Sequence, residues 1–182
     1  MITLFALVLV TFYFVRTHNG FVKLKNNVKK SFATIDVKLT KRHDLIPNLV
    51  EAAKKFMSHE KELLTNITAL RSKAMESSGH EKMEAENHLG SMLGQLNVAM
   101  ENYPDIKSSQ NILQLQAALN ETEEQISASR NAYNAAVVRL NNQVESFPSS
   151  IVAKVFNFKP AEVFEATATQ RENVKVGEIF NN

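Results

Sequence analysis

The sequence of 182 residues contains no cysteine and no tryptophan, and it has only four prolines and five glycines. Without a thiol there is no disulfide framework, no thiolate metal site and no cysteine to carry a lipid. Scarce glycine and proline mean few helix stops, while alanine, leucine, asparagine, glutamate and lysine are plentiful, a profile that favours long helices. Strand-like alternation persists nowhere for more than a few residues. Also missing are a Walker loop, a dinucleotide fingerprint, a paired catalytic carboxylate constellation and a catalytic triad. What these absences leave is an all-α protein with no visible catalytic apparatus.

The one long uncharged run is at the start, Met1 to Val15. As a helix it rises about 22 Å, short of the ~30 Å of bilayer hydrocarbon. A cleaved signal peptide needs a basic stretch before the apolar run and a small-x-small site after it, and neither is present. A core helix poorly matches an unbroken apolar run at a terminus. The reading adopted is a short signal anchor over residues 1–18, with Arg16 snorkelling and Phe21 and Val22 in the interface. Cleavage and export of the remainder stay as an alternative.

Basic residues follow at once: Arg16, Lys23, Lys25, Lys29, Lys30, Lys38, Lys41 and Arg42 face only Asp36, while the whole chain is just +2. Such a collar is held in the cytoplasm, so the expected topology has the N-terminus outside and the bulk inside. The collar could also bind anionic head groups, with the topology signal the preferred reading. It lacks interleaved aromatics, which argues against nucleic acid.

Breaks are expected at Pro47, Ser77-Ser78-Gly79, Tyr103-Pro104-Asp105 and Phe147-Pro148-Ser149-Ser150. Between them run helical patterns. Phe21, Leu24, Val28, Phe32, Ile35 and Leu39 form one stripe, and Leu49, Phe56, Leu63, Ile67, Leu70 and Ala74 another. A third helix from about His80 to Asn102 carries Gly90 and Gly94, spaced to admit a neighbouring backbone. The fourth, about Ile106 to Ser146, has a seam from Ile112 to Val144 with steps of three or four throughout. At some 60 Å it requires partners of comparable length. The expected architecture is therefore an N-terminal transmembrane helix followed by an elongated antiparallel three- or four-helix bundle over residues 19–150. Residues 151–182 are read as aromatics docking back onto the bundle, then a polar tail.

The stretch Lys41 to Phe56 is read as an elbow or kink between two helices, with Asp44 as cap and Pro47 in the first turn of the new helix. This segment closely resembles the signature of the LemA family of bacterial membrane proteins. The residues that carry the resemblance are Ile35-Asp36-Val37 and Lys41-Arg42-His43-Asp44-Leu45-Ile46-Pro47-Asn48-Leu49-Val50-Glu51. Tyr103-Pro104-Asp105-Ile106-Lys107, Thr122-Glu123, Arg130, Tyr133-Asn134, Phe147-Pro148-Ser149 and Phe158-Lys159-Pro160 extend it along the chain. His18, Phe32 and His43 depart from the family's usual aromatic choices. The resemblance implies a single-pass membrane protein with a soluble helical bundle, without established enzymatic activity. For some branches it implies involvement in membrane organisation.

His80, Glu84 and His88 share one helical face at a spacing that could hold a metal, but Glu84 stands where a zincin has its second histidine. The preferred reading is a solvated face, with no metal and no cofactor. His59-Glu60 is read as a polar link in mid-helix, and Arg42 and Asp44 as salt-link partners for Asp105 or Glu123. Thr122-Glu123 and Tyr133-Asn134 are read as register-setters between helices. The interface motif residues are Arg42, Asp44, Pro47, Asn48, Tyr103, Pro104, Phe147 and Pro148. The expected function is a non-enzymatic scaffold anchored in the bacterial inner membrane, assembled with itself and organising a membrane assembly. An adaptor presenting its bundle to another membrane protein, such as a protease, is the alternative, and a metal-dependent enzyme is a distant third.

Overall fold

The computed structural model describes residues 1–164, apart from the side chains of His80 and Lys107. These residues form six helices and no strand: α1 (Ile2–Lys54), α2 (Lys61–Glu76), α3 (Gly79–Met100), α4 (Pro104–Ser108), α5 (Gln110–Glu145) and α6 (Ser149–Val155). The polar tail beyond Phe164 lies outside the described residues.

α1 is 53 residues long, a rod of about 80 Å. Its first part projects from the bundle, with Ile2, Leu4, Phe5, Leu7, Val8 and Val15 exposed. From Phe21 onward its apolar stripe turns inward against α5. Phe21 clusters with Leu140, Ile35 with Ile126 and Val137, and Leu49 with Ile112 and Leu119. Ascending positions on α1 thus meet descending positions on α5, and the pair is antiparallel.

The hairpin of α2 and α3 joins only the far half. Leu49, Ile67, Leu89 and Ile112 share one buried cluster, so four helices meet there. Lys82 Nζ pairs with Asp36 at 2.7 Å, which sets the near limit of α3 along α1. Closer to the apolar segment the rod narrows to α1 and α5, buttressed by α6. The antiparallel bundle expected from the stripes is the one observed.

The elbow is not. α1 runs through Pro47 without interruption, so Asp44 caps nothing and sits exposed in mid-helix. A proline inside a helix removes one hydrogen bond, to the carbonyl four residues earlier, and costs roughly 3 kcal/mol. Here that carbonyl belongs to His43, and Arg71 Nε donates to it at 2.7 Å. Ile46, Leu49 and Val50 are buried on both sides of the proline, and this packing holds the helix through it. The real break comes later, between Lys55 and Glu60, in a stretch with no glycine or proline. His59 therefore lies in a turn rather than mid-helix, and Met57 is buried where Phe56 was expected.

The other expected breaks are found. Gly79, at the start of α3, has φ +59, a left-handed conformation suited to glycine. Pro104 occupies the first turn of α4, where its missing N–H is harmless. The fourth helix was expected from about Ile106, but extended Ser109 separates α4 from α5, which begins at Gln110 and carries the whole seam.

After α6 the chain returns along α5 in extended form. Phe158 stacks on Phe21 with ring centres 4.7 Å apart, and Phe164 packs edge-on to Tyr133 at 5.2 Å. The docking of terminal aromatics onto the bundle is thus present. Asn141 donates to the Ala161 carbonyl and accepts from the Ala161 amide, both at 2.9 Å. Asn134 does the same for Phe164, at 3.0 and 2.8 Å. The two asparagines lie about 10.5 Å apart along the helix, the rise of three extended residues. Tyr133 completes the clamp, donating its hydroxyl to the Glu162 carbonyl at 3.0 Å. Burial and the nearby Glu162 carboxylate raise the pKa of that phenol. Tyr133-Asn134 therefore grips the returning chain through its polar atoms, while the Tyr133 ring also packs on Phe32 of α1, with centres 5.7 Å apart.

Candidate functional site

Where α1, α3 and α5 converge, Arg42 is fully buried. Its Nη2 donates to the Glu86 carboxylate, and also to the Glu86 carbonyl at 3.2 Å. Its Nη1 donates to Glu123 Oε2 at 2.7 Å. His43, the next residue on α1, brings Nε2 within 3.0 Å of Glu86 Oε1. One guanidinium thus links three helices, and the expected pairing of Arg42 with Glu123 is present. Asp105 takes no part in it.

Burial alone would push the Glu86 carboxyl up. The close His43 ring and the charge of Arg42 outweigh it and hold the group below the ordinary carboxylate range. Glu86 is the residue of this cluster that the sequence does not single out. It sits in the charged run Glu81 to His88, where nothing distinguishes a buried carboxylate from its solvated neighbours. The faint signal is its place between Ala85 and Leu89, both buried.

Beside this cluster a cleft of about 820 Å³ opens between α3 and α5. Its α3 wall includes Gly90, Ser91 and Gly94, and its α5 wall includes Glu123 and Arg130. A methyl group at Gly90 would meet Arg42 Nη1 and Glu123 Oε1 at ordinary contact distances of 3.6 and 3.7 Å. One at Gly94 would meet nothing within 4 Å. The two glycines line a gap and admit no neighbouring backbone, which corrects the expectation for them.

Arg130 forms the near end of the cleft. Its Nη1 donates to Asn87 Oδ1 at 2.8 Å, and its guanidinium lies 5.3 Å from the centre of the Phe164 ring. Nε and Nη2 are buried without a hydrogen-bond partner among the described residues. Burial first, and then the charge of Arg42, lower its pKa, with Glu123 and Glu86 opposing. Two orphaned donors on a cation give this end of the cleft the chemistry to accept a carboxylate or carbonyl oxygen.

The remaining expected site residues are dispersed. Asp44, Pro47 and Asn48 are exposed on the outer face of α1. Tyr103 packs against the four-helix cluster and Pro104 starts α4. Phe147 and Pro148 are exposed at the turn into α6, joined by a cis peptide. Arg16, Lys23, Lys25, Lys29 and Lys30 are exposed along the narrow part of α1. Glu84 and His88 are exposed on α3, and the side chain of His80 lies outside the described residues. Among the described residues no three histidines or carboxylates are grouped to hold a metal ion.

A model of the LemA family matches residues 31–177. The chain belongs to the LemA family. The match begins beyond the apolar segment and contains Arg42, Glu86, Glu123 and Arg130, so the ion cluster and the cleft lie within the family region. This LemA-family chain is 26% identical to Protein LemA of Metamycoplasma hominis, covering 99% of the chain and 84% of that protein. It is 23% identical to Magnetosome protein MamQ 2 of Paramagnetospirillum magneticum, over 81% of the chain and 64% of that protein, just under two thirds. Magnetosome protein MamQ of Magnetospirillum gryphiswaldense matches at 21%, over 90% of the chain and 70% of that protein. By length and composition α1 is also able to cross a membrane through its exposed N-terminal part. Family and helix together mark a membrane-associated protein.

Proposed function

We propose that this chain is a non-enzymatic helical scaffold, anchored in the bacterial cytoplasmic membrane by the start of α1 and assembled with copies of itself. The observation that carries the reading is the continuity of α1. One uninterrupted helix passes from the exposed apolar segment into the Arg42 junction. Any orientation imposed on the anchor is thereby transmitted to the bundle without a hinge. Anchored rods share a surface, which raises their effective concentration for lateral packing. Exposed apolar residues on the bundle, Val37, Val98 and Val138 among them, supply contact points. That relatives are named for the magnetosome fits a role in an organised cellular assembly. The basic collar orients the bundle to the cytoplasm with the N-terminus outside. Light scattering on the full chain in mild detergent tests the scaffold: particles of several copies are expected, and a monomer at every concentration would refute it.

A second reading is favoured by the cleft. Its size and the free donors of Arg130 suit a segment of another membrane protein, which would make the chain an adaptor. Cross-linking from positions around the cleft separates the two, since self-links support the scaffold and foreign links the adaptor.

A further inference from the structure

α6 carries an apolar surface outside the core. Val152 and Ala153 face inward onto Phe21 and Leu140. On the other side Ile151 and Val155 are exposed one turn apart, and Phe147 and Phe156 are exposed near the helix ends. Large apolar side chains gathered this densely on a surface mark an interaction site.

Their position along α1 decides what they face. Phe158 stacks on Phe21, and Phe156 and Phe158 meet His18 at 4.5 and 5.6 Å. Tyr13 and Phe14, within the apolar run, pack against the same cluster as α6. α6 therefore lies beside the end of the anchor. The apolar run from Ile2 to Val15 rises about 21 Å up to the first charged side chain, Arg16. From Val15 to Phe21 α1 rises about 9 Å more, and along this stretch α6 lies beside it with its exposed apolar face. Arg16 is exposed and able to snorkel, and Lys154, Lys159, Lys23 and Lys25 are exposed around the same level, where lipid phosphates would meet them.

We propose that α6, with Phe147 and Phe156, is a second membrane contact, an interfacial helix that inserts its outer face into an anionic bilayer beside the end of the anchor. This rests on the reading of α1 as a membrane anchor, and the experiment separates the two. Because the chain lacks cysteine, single sites can be labelled cleanly. Val155→Cys, Ile151→Cys, Leu7→Cys and Leu113→Cys, all at exposed positions, are each given a fluorophore in the full chain. They are reconstituted in phosphatidylcholine–phosphatidylglycerol vesicles containing brominated lipid. The labels on α6 are expected to lose fluorescence as the Leu7 label does, while the Leu113 label, on the far bundle, is unaffected. Quenching at Leu7 but not on α6 would overturn the inference and leave the anchor standing. No quenching at Leu7 would overturn both. Shielding of Val155 that appears only at high protein-to-lipid ratio would assign the surface to a second copy and overturn it too.

Discussion

Arg71 Nε donates to the His43 carbonyl at 2.7 Å, and this is the carbonyl that Pro47 leaves without a helical partner. The proline thus creates an acceptor on α1, and α2 supplies the donor. A residue that weakens α1 as an isolated helix becomes the point at which α2 is fastened to it. His43 is also drawn by its ring into the Glu86 pair, so the same residue contacts α2 through its backbone and α3 through its side chain.

Arg71→Met keeps the length of the side chain and removes the donor. It is expected to destabilise the bundle by about 1–3 kcal/mol, the cost of an unsatisfied buried carbonyl. In a Pro47→Ala background the restored N–H takes that carbonyl, and the same substitution should cost clearly less. Chemical unfolding of the four proteins, followed by circular dichroism, measures the coupling. Strictly additive losses would show that Arg71 does not serve the proline.

Arg42→Met strands the buried Glu86 carboxylate, and a loss of about 3–5 kcal/mol is expected. Adding Glu86→Leu should recover part of it, since an apolar pair is tolerated where half an ion pair is not. Glu123→Gln should cost much less, because Glu123 is half exposed and screened by water. A double variant weaker than Arg42→Met would contradict this arrangement.

Acid should act through Glu86. Its folded pKa lies below the ordinary value of 4.5, so on acidification the unfolded chain takes up this proton first. The stabilisation is complete above about pH 4.5 and is lost as the pH falls through the folded pKa. Glu86→Gln should flatten the stability profile in that window, measured by thermal melts across the pH series. An unchanged acid slope would assign the effect to other carboxylates.

The apolar framework was readable from the spacing of Phe21, Ile35 and Leu39 and of Ile112, Ile126 and Tyr133, because burial of a helical stripe depends on local periodicity. The Arg42–Glu123 link was readable too, as unlike charges on facing helices. Pro47 misled because its compensation comes from Arg71 on a different helix, which no local rule contains. The break after Lys55 left no signature for the opposite reason. Its residues are all able to be helical, and Ala53 and Met57 on either side of the turn are both buried in the four-helix cluster, which no local pattern announces. Glu86 and the strand clamp by Asn134 and Asn141 depend on which side chains tertiary packing brings together, so the residues were visible but their partners were not.

The clamp makes a local prediction. Asn141→Ala or Asn134→Ala removes two hydrogen bonds to the returning chain, each worth about 1 kcal/mol. Faster hydrogen exchange is expected at the amides of Ala161 and Phe164, with the global unfolding midpoint nearly unchanged. If both variants unfold globally at lower denaturant with no local change, the strand is part of the cooperative core.

Gly94 offers the sharpest separation of scaffold from adaptor. Its position has open space beside it, so Gly94→Ala should stabilise α3 by roughly 0.5–1 kcal/mol through helix propensity alone. Gly94→Phe places a ring into the cleft without displacing the Arg42 junction, since Gly90, rather than Gly94, lies against it. If self-association uses the outer surface of the rods, light scattering should give the same particle mass for both variants and the parent chain. If a foreign segment occupies the cleft, Gly94→Phe should abolish its cross-links while Gly94→Ala retains them. Loss of self-association in Gly94→Phe alone would instead place a second copy of the chain in the cleft, because Gly94→Ala leaves that space open and only the ring closes it.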